Sequence, residues 1–366
     1  MTAIRLLVVN PSPIRGGAEA LLEELAWNAD PDRLQVTVAN LAPGAFPSRL
    51  AEGGARTVDL DARRLRYPWH WARTVHALRR LAVGHDAVWS WQVKGNYYGT
   101  PAARLAKKPC AWWDHGIRPA KGEPRYLIDH VLPNSIKADR VIVSSQAAAR
   151  RHRNAEVIHP GVRTGDVSID RAAARSSLGY GDGPVIGSVG RLQPWKGQHL
   201  LIDAMPEICS RHLEARLVVI GDALGGFSAE YPGQLRERAS RLGVTSQVDF
   251  LGHREDVHSL LPAFDVFVTP SIAEPFGIVT VEAMAAGVPV IGTDSGGTPE
   301  ILADGAGLVI PTGDPQAIAR LVVSLLDDPG RAANIARIGQ QRARERFSIE
   351  RFLEDCMRSV EALVDR

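Results

Sequence analysis

The run Glu274-Pro275-Phe276-Gly277-Ile278-Val279-Thr280-Val281-Glu282 places two carboxylates, with seven residues between them, where a loop turns into a helix. Around Gly277, Ile278 and Val279 the first amides of that helix have no intrahelical acceptor. Together with the helix dipole they form a ready site for a phosphate. Gly277 lets a ligand approach the backbone closely. Glu282, read as roughly two turns into the helix, can accept both hydrogen bonds of a ribose diol. The plainer reading is a helix capped by Glu274, with Glu282 on its wet face. A second set, Gly190-Arg191-Leu192-Gln193-Pro194-Trp195-Lys196-Gly197, follows an apolar strand and precedes a helix. Arg191 and Lys196 offer a planar fork and a mobile point charge, which suit a diphosphate. Otherwise they are solvated loop cations. Gly16-Gly17-Ala18-Glu19 opens the first helix, where paired glycines admit a pyrophosphate or a sugar, or simply make a tight turn. Trp112-Trp113-Asp114-His115-Gly116 ends a strand, so that His115 either reaches a ligand or is a buried, satisfied histidine.

Such residues need elements that bring strand ends together. Apolar runs predict strands over 4–10, 35–40, 56–60, 87–91, 111–114 and 140–144, with helices over 18–28 and 69–83. His159-Pro160-Gly161-Val162 breaks the rhythm, and a polar stretch follows to Gly183. The pattern then restarts, with strands over 185–190, 217–221, 248–251, 266–269, 288–293 and 307–310. Helices are predicted over 199–211, 233–242, 259–264, 279–286, 315–327 and 332–345. Apolar strands alternating with helices predict an α/β chain of two Rossmann-like, doubly wound parallel-sheet domains. Ligands of such sheets bind outside the carboxyl ends of the strands.

The chain has 366 residues, 45% of them hydrophobic, which is enough for two cores and excludes general disorder. No stretch approaches the roughly 18 uninterrupted apolar residues of a membrane span. The apolar run at 4–9 is broken by Arg5 and followed by Pro11 and Pro13, unlike a signal peptide. Cys110, Cys209 and Cys356 are too widely spaced for a disulfide framework or a metal knuckle, which points to a reducing cytoplasm. The net charge of +2 hides an asymmetry. Residues 1–165 hold 24 Lys or Arg against 14 Asp or Glu, and the rest hold 19 against 27. The absence of G-x-G-x-x-G argues against a nicotinamide dehydrogenase. Asp59-Leu60-Asp61 imitates a metal-binding D-x-D but ends an early strand, far from the other motifs.

Several further motifs stand in order with these. They are Phe250-Leu251-Gly252, Asp265-Val266-Phe267-Val268-Thr269-Pro270-Ser271, Ala283-Met284-Ala285-Ala286-Gly287-Val288-Pro289-Val290 and Gly296-Gly297-Thr298-Pro299-Glu300. With Gly190-Arg191, Lys196-Gly197 and Glu274 to Glu282, the sequence resembles the retaining GT-B glycosyltransferases of family four, the glycosyl transferases group 1. The resemblance covers nearly the whole chain and is strongest over 187–313. It implies a hexosyltransferase whose two domains face each other across a cleft. Residues 1–165 would bind the acceptor, 166–347 the nucleotide-sugar donor, and a helix over 348–366 would cross back to the first domain. Arg191 and Lys196 would bind the diphosphate and stabilise it as it leaves. Glu282 would hold the ribose, Glu274 would face the donor sugar, the backbone at Gly277 and Ile278 would hold the distal phosphate, and Phe276 and Val279 beside them would also bind the donor. His253 and Arg254 would border the base. Gly16 and Gly17 would meet the donor from the other domain, and His115 would contact the sugar. The resemblance implies no protein nucleophile, no cofactor and no metal, with UDP-sugars the commonest donors.

The acceptor side is less determined. Asn96, Tyr97, Trp113, Arg118 and Lys121 fall near plausible site loops, where aromatics stack on a sugar or merely pack. The segment 63–71, Arg63-Arg64-Leu65-Arg66-Tyr67-Pro68-Trp69-His70-Trp71, suits peripheral contact with an anionic membrane. It equally suits a solvated basic entry to a helix. A GT-B phosphorylase, a nucleotide-sugar epimerase, and a nucleotide- or carbohydrate-binding protein without turnover remain as alternatives. Nothing in the sequence points to a nucleic acid.

Overall fold

A computed structural model describes residues 3–60, 62, 68–116, 126–164, 170–223 and 228–365. The chain divides into two units, Met1–Gly161 with Ile349–Arg366, and Val162–Ser348.

In the first unit the strands are β1 (Ile4–Asn10), β2 (Leu34–Asn40), β3 (Arg56–Asp59), β4 (Ala87–Trp91), β5 (Cys110–Asp114), β6 (Arg140–Val143) and β7 (Ala155–Val157). They form a parallel sheet in the order β3-β2-β1-β4-β5-β6-β7. β4 and β5 are buried at every position, as strands covered on both faces must be. One core layer gathers Leu7, Val9, Val75, Leu78, Val88 and Tyr98. The helix Ile349–Val364 belongs to this unit. Phe352 packs its ring 5.9 Å from that of Trp113. Arg33 pairs with Glu354 at 2.9 Å and with Glu361 at 3.2 Å.

The second unit contains β8 (Val185–Val189), β9 (Arg216–Ile220), β10 (Val248–Gly252), β11 (Val266–Thr269), β12 (Val290–Thr293) and β13 (Leu308–Ile310), in the order β10-β9-β8-β11-β12-β13. Apolar layers cover both faces, one around Ile202, Leu217 and Val268, the other around Phe264, Phe267 and Met284. In each sheet the strand order reverses once, between β1 and β4 and between β8 and β11. At such switch points the loops diverge and leave a crevice for ligands.

The fold is the predicted doubly wound pair, but several elements escaped the sequence. Helix Gln92–Leu105 holds Asn96 and Tyr97, which the sequence suggested lay near site loops. Its buried residues mix Gly95, Asn96, Gly99 and Thr100 with Tyr98, Ala102 and Ala103, and Pro101 sits inside it, so no clear apolar period announces it. Helix Ala45–Glu52 and the three-residue β7 were also missed. Among the described residues no helix is long and apolar enough to cross a membrane. Residues 63–67 of the basic segment lie outside the described residues. Trp69, in the first turn of helix Pro68–Val83, is 64% exposed.

Candidate functional site

In the second unit, two strand ends on either side of the switch point are joined by one ion pair. After β8 the chain makes a short turn, Pro194–Lys196. After β11 it runs through Pro270 to Glu274. Lys196 Nζ donates to Glu274 Oε2 at 2.7 Å, and Ser271 Oγ donates to the same oxygen at 3.0 Å. Glu274 is 6% exposed, so its charge is held by these partners rather than by water. Lys196 also lies over the Trp195 ring, 4.6 Å from its centroid. Two glycines permit this closeness. A Cβ on Gly197 would stand 1.9 Å from the Pro270 carbonyl oxygen, and one on Gly296 would stand 1.7 Å from that of Glu274. Both have positive φ, +75° and +56°. Arg191 is exposed, and among the described residues its side chain has no partner.

Gly277 caps helix Ile278–Ala285 in a left-handed conformation and offers no side chain to its amides. The first-turn amides of Ile278 and Val279 therefore lack intrahelical acceptors, as a phosphate site requires. Thr269 at the end of β11 and Thr280 in the helix share a hydrogen bond of 2.9 Å, which fixes the helix against the sheet. Glu282 lies little more than one turn in, closer to the helix start than the sequence suggested. Its side chain is 21% exposed, and His258 Nε2 approaches it at 3.6 Å. Phe276 corrects an expectation. Its ring is 3% exposed and packs edge-on against Phe347, so it anchors the turn and its side chain is not available to a donor. Past β10, His253 is exposed, and Arg254 is forked onto Asp256 at 2.7 and 2.6 Å.

In the first unit Gly16 caps helix Gly17–Asn28. Glu19, in the first turn of that helix, accepts a hydrogen bond from Gln92 Nε2, so this pair spans the β1/β4 switch point. Gln92 holds φ +60°, rare for a residue with a side chain. Neither residue had been assigned a role, because a lone Glu and a lone Gln carry no spacing signal. At the end of β5, the His115 ring stacks on Trp113 (centroids 5.3 Å apart, 7° between planes) and lies 4.6 Å from the Trp91 ring centroid. Its Nε2 is buried and has no partner among the described residues. Burial pushes the imidazole pKa down to about 3, so the ring is neutral at physiological pH.

Among the residues suggested for the acceptor, Trp113 and Asn96 are corrected. Trp113 is fully buried between Trp89, Trp91 and Phe352. Asn96 is fully buried and spends its amide on the Pro133 carbonyl (3.1 Å) and the Thr100 hydroxyl (2.6 Å). Tyr97 donates its hydroxyl to the Ile128 carbonyl at 2.6 Å. Arg118 and Lys121 lie outside the described residues. Asp59 accepts from Asn40 at 2.9 Å, while Asp61 lies outside the description. Among the described residues no cluster of three His, Cys, Asp or Glu side chains is placed to hold a metal.

Two doubly wound parallel sheets in these strand orders make up the GT-B architecture. Residues 170–342 match the family model described as "Glycosyl transferases group 1". The chain thus matches that family's model over just under half of its length. It is similar to the crystal structure of Anabaena HepE in complex with UDP and glucose, with a TM-score of 0.88 and 27% identity over 98% of this chain and 100% of that one. It is 28% identical to a D-inositol 3-phosphate glycosyltransferase of Streptomyces avermitilis, over 93% of this chain and 83% of that protein. It is 38% identical to a GDP-mannose-dependent monoacylated alpha-(1-6)-phosphatidylinositol monomannoside mannosyltransferase of Corynebacterium glutamicum. That match spans 50% of this chain and 48% of the relative's length.

Proposed function

We propose that the chain transfers a hexose from a nucleoside-diphosphate sugar to a hydroxyl of a carbohydrate or lipid acceptor, with retention and without a metal. The Lys196–Glu274 pair at the β8/β11 switch point carries this reading. Lys196, Arg191 and the amides of Ile278 and Val279 would take the diphosphate. Breaking the sugar–phosphate bond concentrates negative charge there, and preorganised cations and amides oppose it without reorganising. Glu282 would accept from the ribose hydroxyls. Glu274 would accept from a donor-sugar hydroxyl. A carboxylate already bound to Lys196 and Ser271 is a poor nucleophile, which supports direct transfer on the leaving-group face. In that step the acceptor oxygen bonds to the anomeric carbon as the carbon–phosphate oxygen bond breaks, and the acceptor proton passes to the departing phosphate. His115, neutral and with Nε2 unanswered, would hydrogen-bond the sugar.

GDP-mannose is the donor to test first, because the mannosyltransferase relative is named for it. UDP-glucose is the second reading, favoured by the Anabaena structure and its ligands. Incubation with each donor in EDTA, with nucleoside diphosphate release and anomeric configuration followed by NMR, tests the proposal. Retained configuration with EDTA present is expected. Inversion, or activity only with added metal, would contradict it. Dependence on inorganic phosphate would instead mark a phosphorylase, acceptor-free epimerisation an epimerase, and nucleotide binding without sugar release a binding protein.

A further inference from the structure

His115 is held on both sides. β5 ends at Asp114, which is 6% exposed, and its carboxylate reaches across His115. Oδ1 accepts from the Gly116 amide at 2.8 Å, and Oδ2 faces His152 Nε2 at 2.9 Å. Arg151 Nη1 donates to the Gly116 carbonyl at 2.6 Å, while Nη2 lies 3.7 Å from Asp114 Oδ2. Gly116 is thus gripped through both its N–H and its C=O. The chain from Asp114 through Gly116 and Arg151 closes a ring around His115.

His152 secures this ring to the next element. Its side chain is 3% exposed and meets the Trp112 ring edge-on, 5.3 Å between centroids. Its Nδ1 faces Asn134 Oδ1 at 2.9 Å. Asn134 Nδ2 donates to the His130 carbonyl at 2.6 Å, which settles the amide orientation. Both His152 nitrogens therefore face acceptors. Two hydrogen bonds, from His152 and the Gly116 amide, and the charge of the nearby Arg151 guanidinium converge on Asp114 and hold its pKa below the ordinary carboxylate value despite burial.

We infer that Asp114 and His152, with Arg151, are positioning residues for His115. They fix its backbone while Trp91 and Trp113 fix its ring, leaving Nε2 aimed for a ligand. A buried charged network is costly unless fully partnered. Here its hydrogen bonds converge on the turn that carries His115, whose buried Nε2 has no partner among the described residues. This inference rests on the role proposed above for His115.

The test is acceptor-free sugar release from GDP-mannose and UDP-glucose, with water as acceptor. It compares wild type with Asp114→Ala, Asp114→Asn, His152→Ala and His152→Gln. The Leu78→Ala variant, cut in the core of the same unit, serves as a stability control. A group displaced by about 1 Å loses on the order of a hundredfold in rate. The two alanine variants should therefore lose about tenfold or more in kcat, with donor KM within about twofold. Asn, which still accepts from Gly116, and Gln, which still donates to Asp114, should recover part of that loss. Leu78→Ala should lower Tm and keep kcat. Unchanged kcat in both alanine variants, or an equal loss in Leu78→Ala, overturns the inference. A wild type that releases sugar from neither donor refutes the functional reading beneath it.

Discussion

Lys196 and Glu274 each have two tasks, and variants can separate them. Glu274 is buried, so Lys196→Ala strands a carboxylate and costs on the order of 3 kcal/mol of stability. The same change removes a cation from the proposed diphosphate site, and nucleotide affinity should fall about tenfold or more, a typical loss for a charge-assisted contact. The double variant Lys196→Met with Glu274→Gln removes the stranded charge. Thermal unfolding should then recover towards wild type, while calorimetry should still find weak nucleotide binding. Recovery of affinity together with stability would assign the pair to the fold alone. The sequence placed Arg191, Lys196, Glu274 and Glu282 at strand ends or a helix start, because Gly and Pro punctuate those turns. It could not show that Lys196 and Glu274 touch, since 78 residues separate them. Trp113, Asn96 and Phe276 misled for a related reason. Residue type advertises a contact but not the side of the sheet or helix on which it is made.

At the level of elements, the donor half depends on two close approaches. Gly197→Ala would drive a methyl into the Pro270 carbonyl, and Gly296→Ala would drive one into that of Glu274. Each should lower Tm and weaken nucleotide binding, because the clash moves the loops bearing Lys196 and Glu274. Gly313→Ala is the control. It also has positive φ, +84°, but its Cβ would meet nothing within 4 Å. It should cost only the backbone strain of about 1 kcal/mol, with affinity unchanged. Central strands such as β4, β5 and β8 were legible because burial on both faces writes continuous apolar runs. Helix Gln92–Leu105 was not, because Gly95, Asn96, Gly99 and Thr100 stand among its buried residues and break the apolar pattern of Tyr98, Ala102 and Ala103. Helix Gln92–Leu105 also carries Lys94, a half-buried ammonium whose pKa burial lowers and which has no ion-pair partner among the described residues. Lys94→Met should leave Tm unchanged or raised. A marked fall would mean that Lys94 holds the fold through a partner still to be found.

For the whole molecule, acid stability follows from the first unit. The folded state keeps His115 neutral down to about pH 3, against an ordinary value of 6.5. Above 6.5 the ring is neutral folded or unfolded and contributes nothing. As pH falls below 6.5 only the unfolded chain takes the proton, so stability drops by up to about 1.4 kcal/mol per pH unit until the folded ring also titrates. Asp114, whose folded pKa is depressed, stabilises above its ordinary value of 3.8 and loses that share only below it. Chemical denaturation of wild type should therefore show stability declining from pH 6.5 towards 4, and His115→Leu should flatten the decline. An identical slope in the variant would remove His115 from this account. The central claim concerns the second unit, where Lys196, Glu274 and the start of helix Ile278–Ala285 would form a metal-free site for a nucleoside diphosphate. The most direct test is calorimetry of GDP and UDP in EDTA, with wild type and the Lys196→Met, Glu274→Gln double variant side by side. The account predicts selective binding of one nucleotide to wild type despite the chelator, and about tenfold or greater weakening in a stably folded double variant. Binding of neither nucleotide, or equal affinity in both proteins, would contradict it.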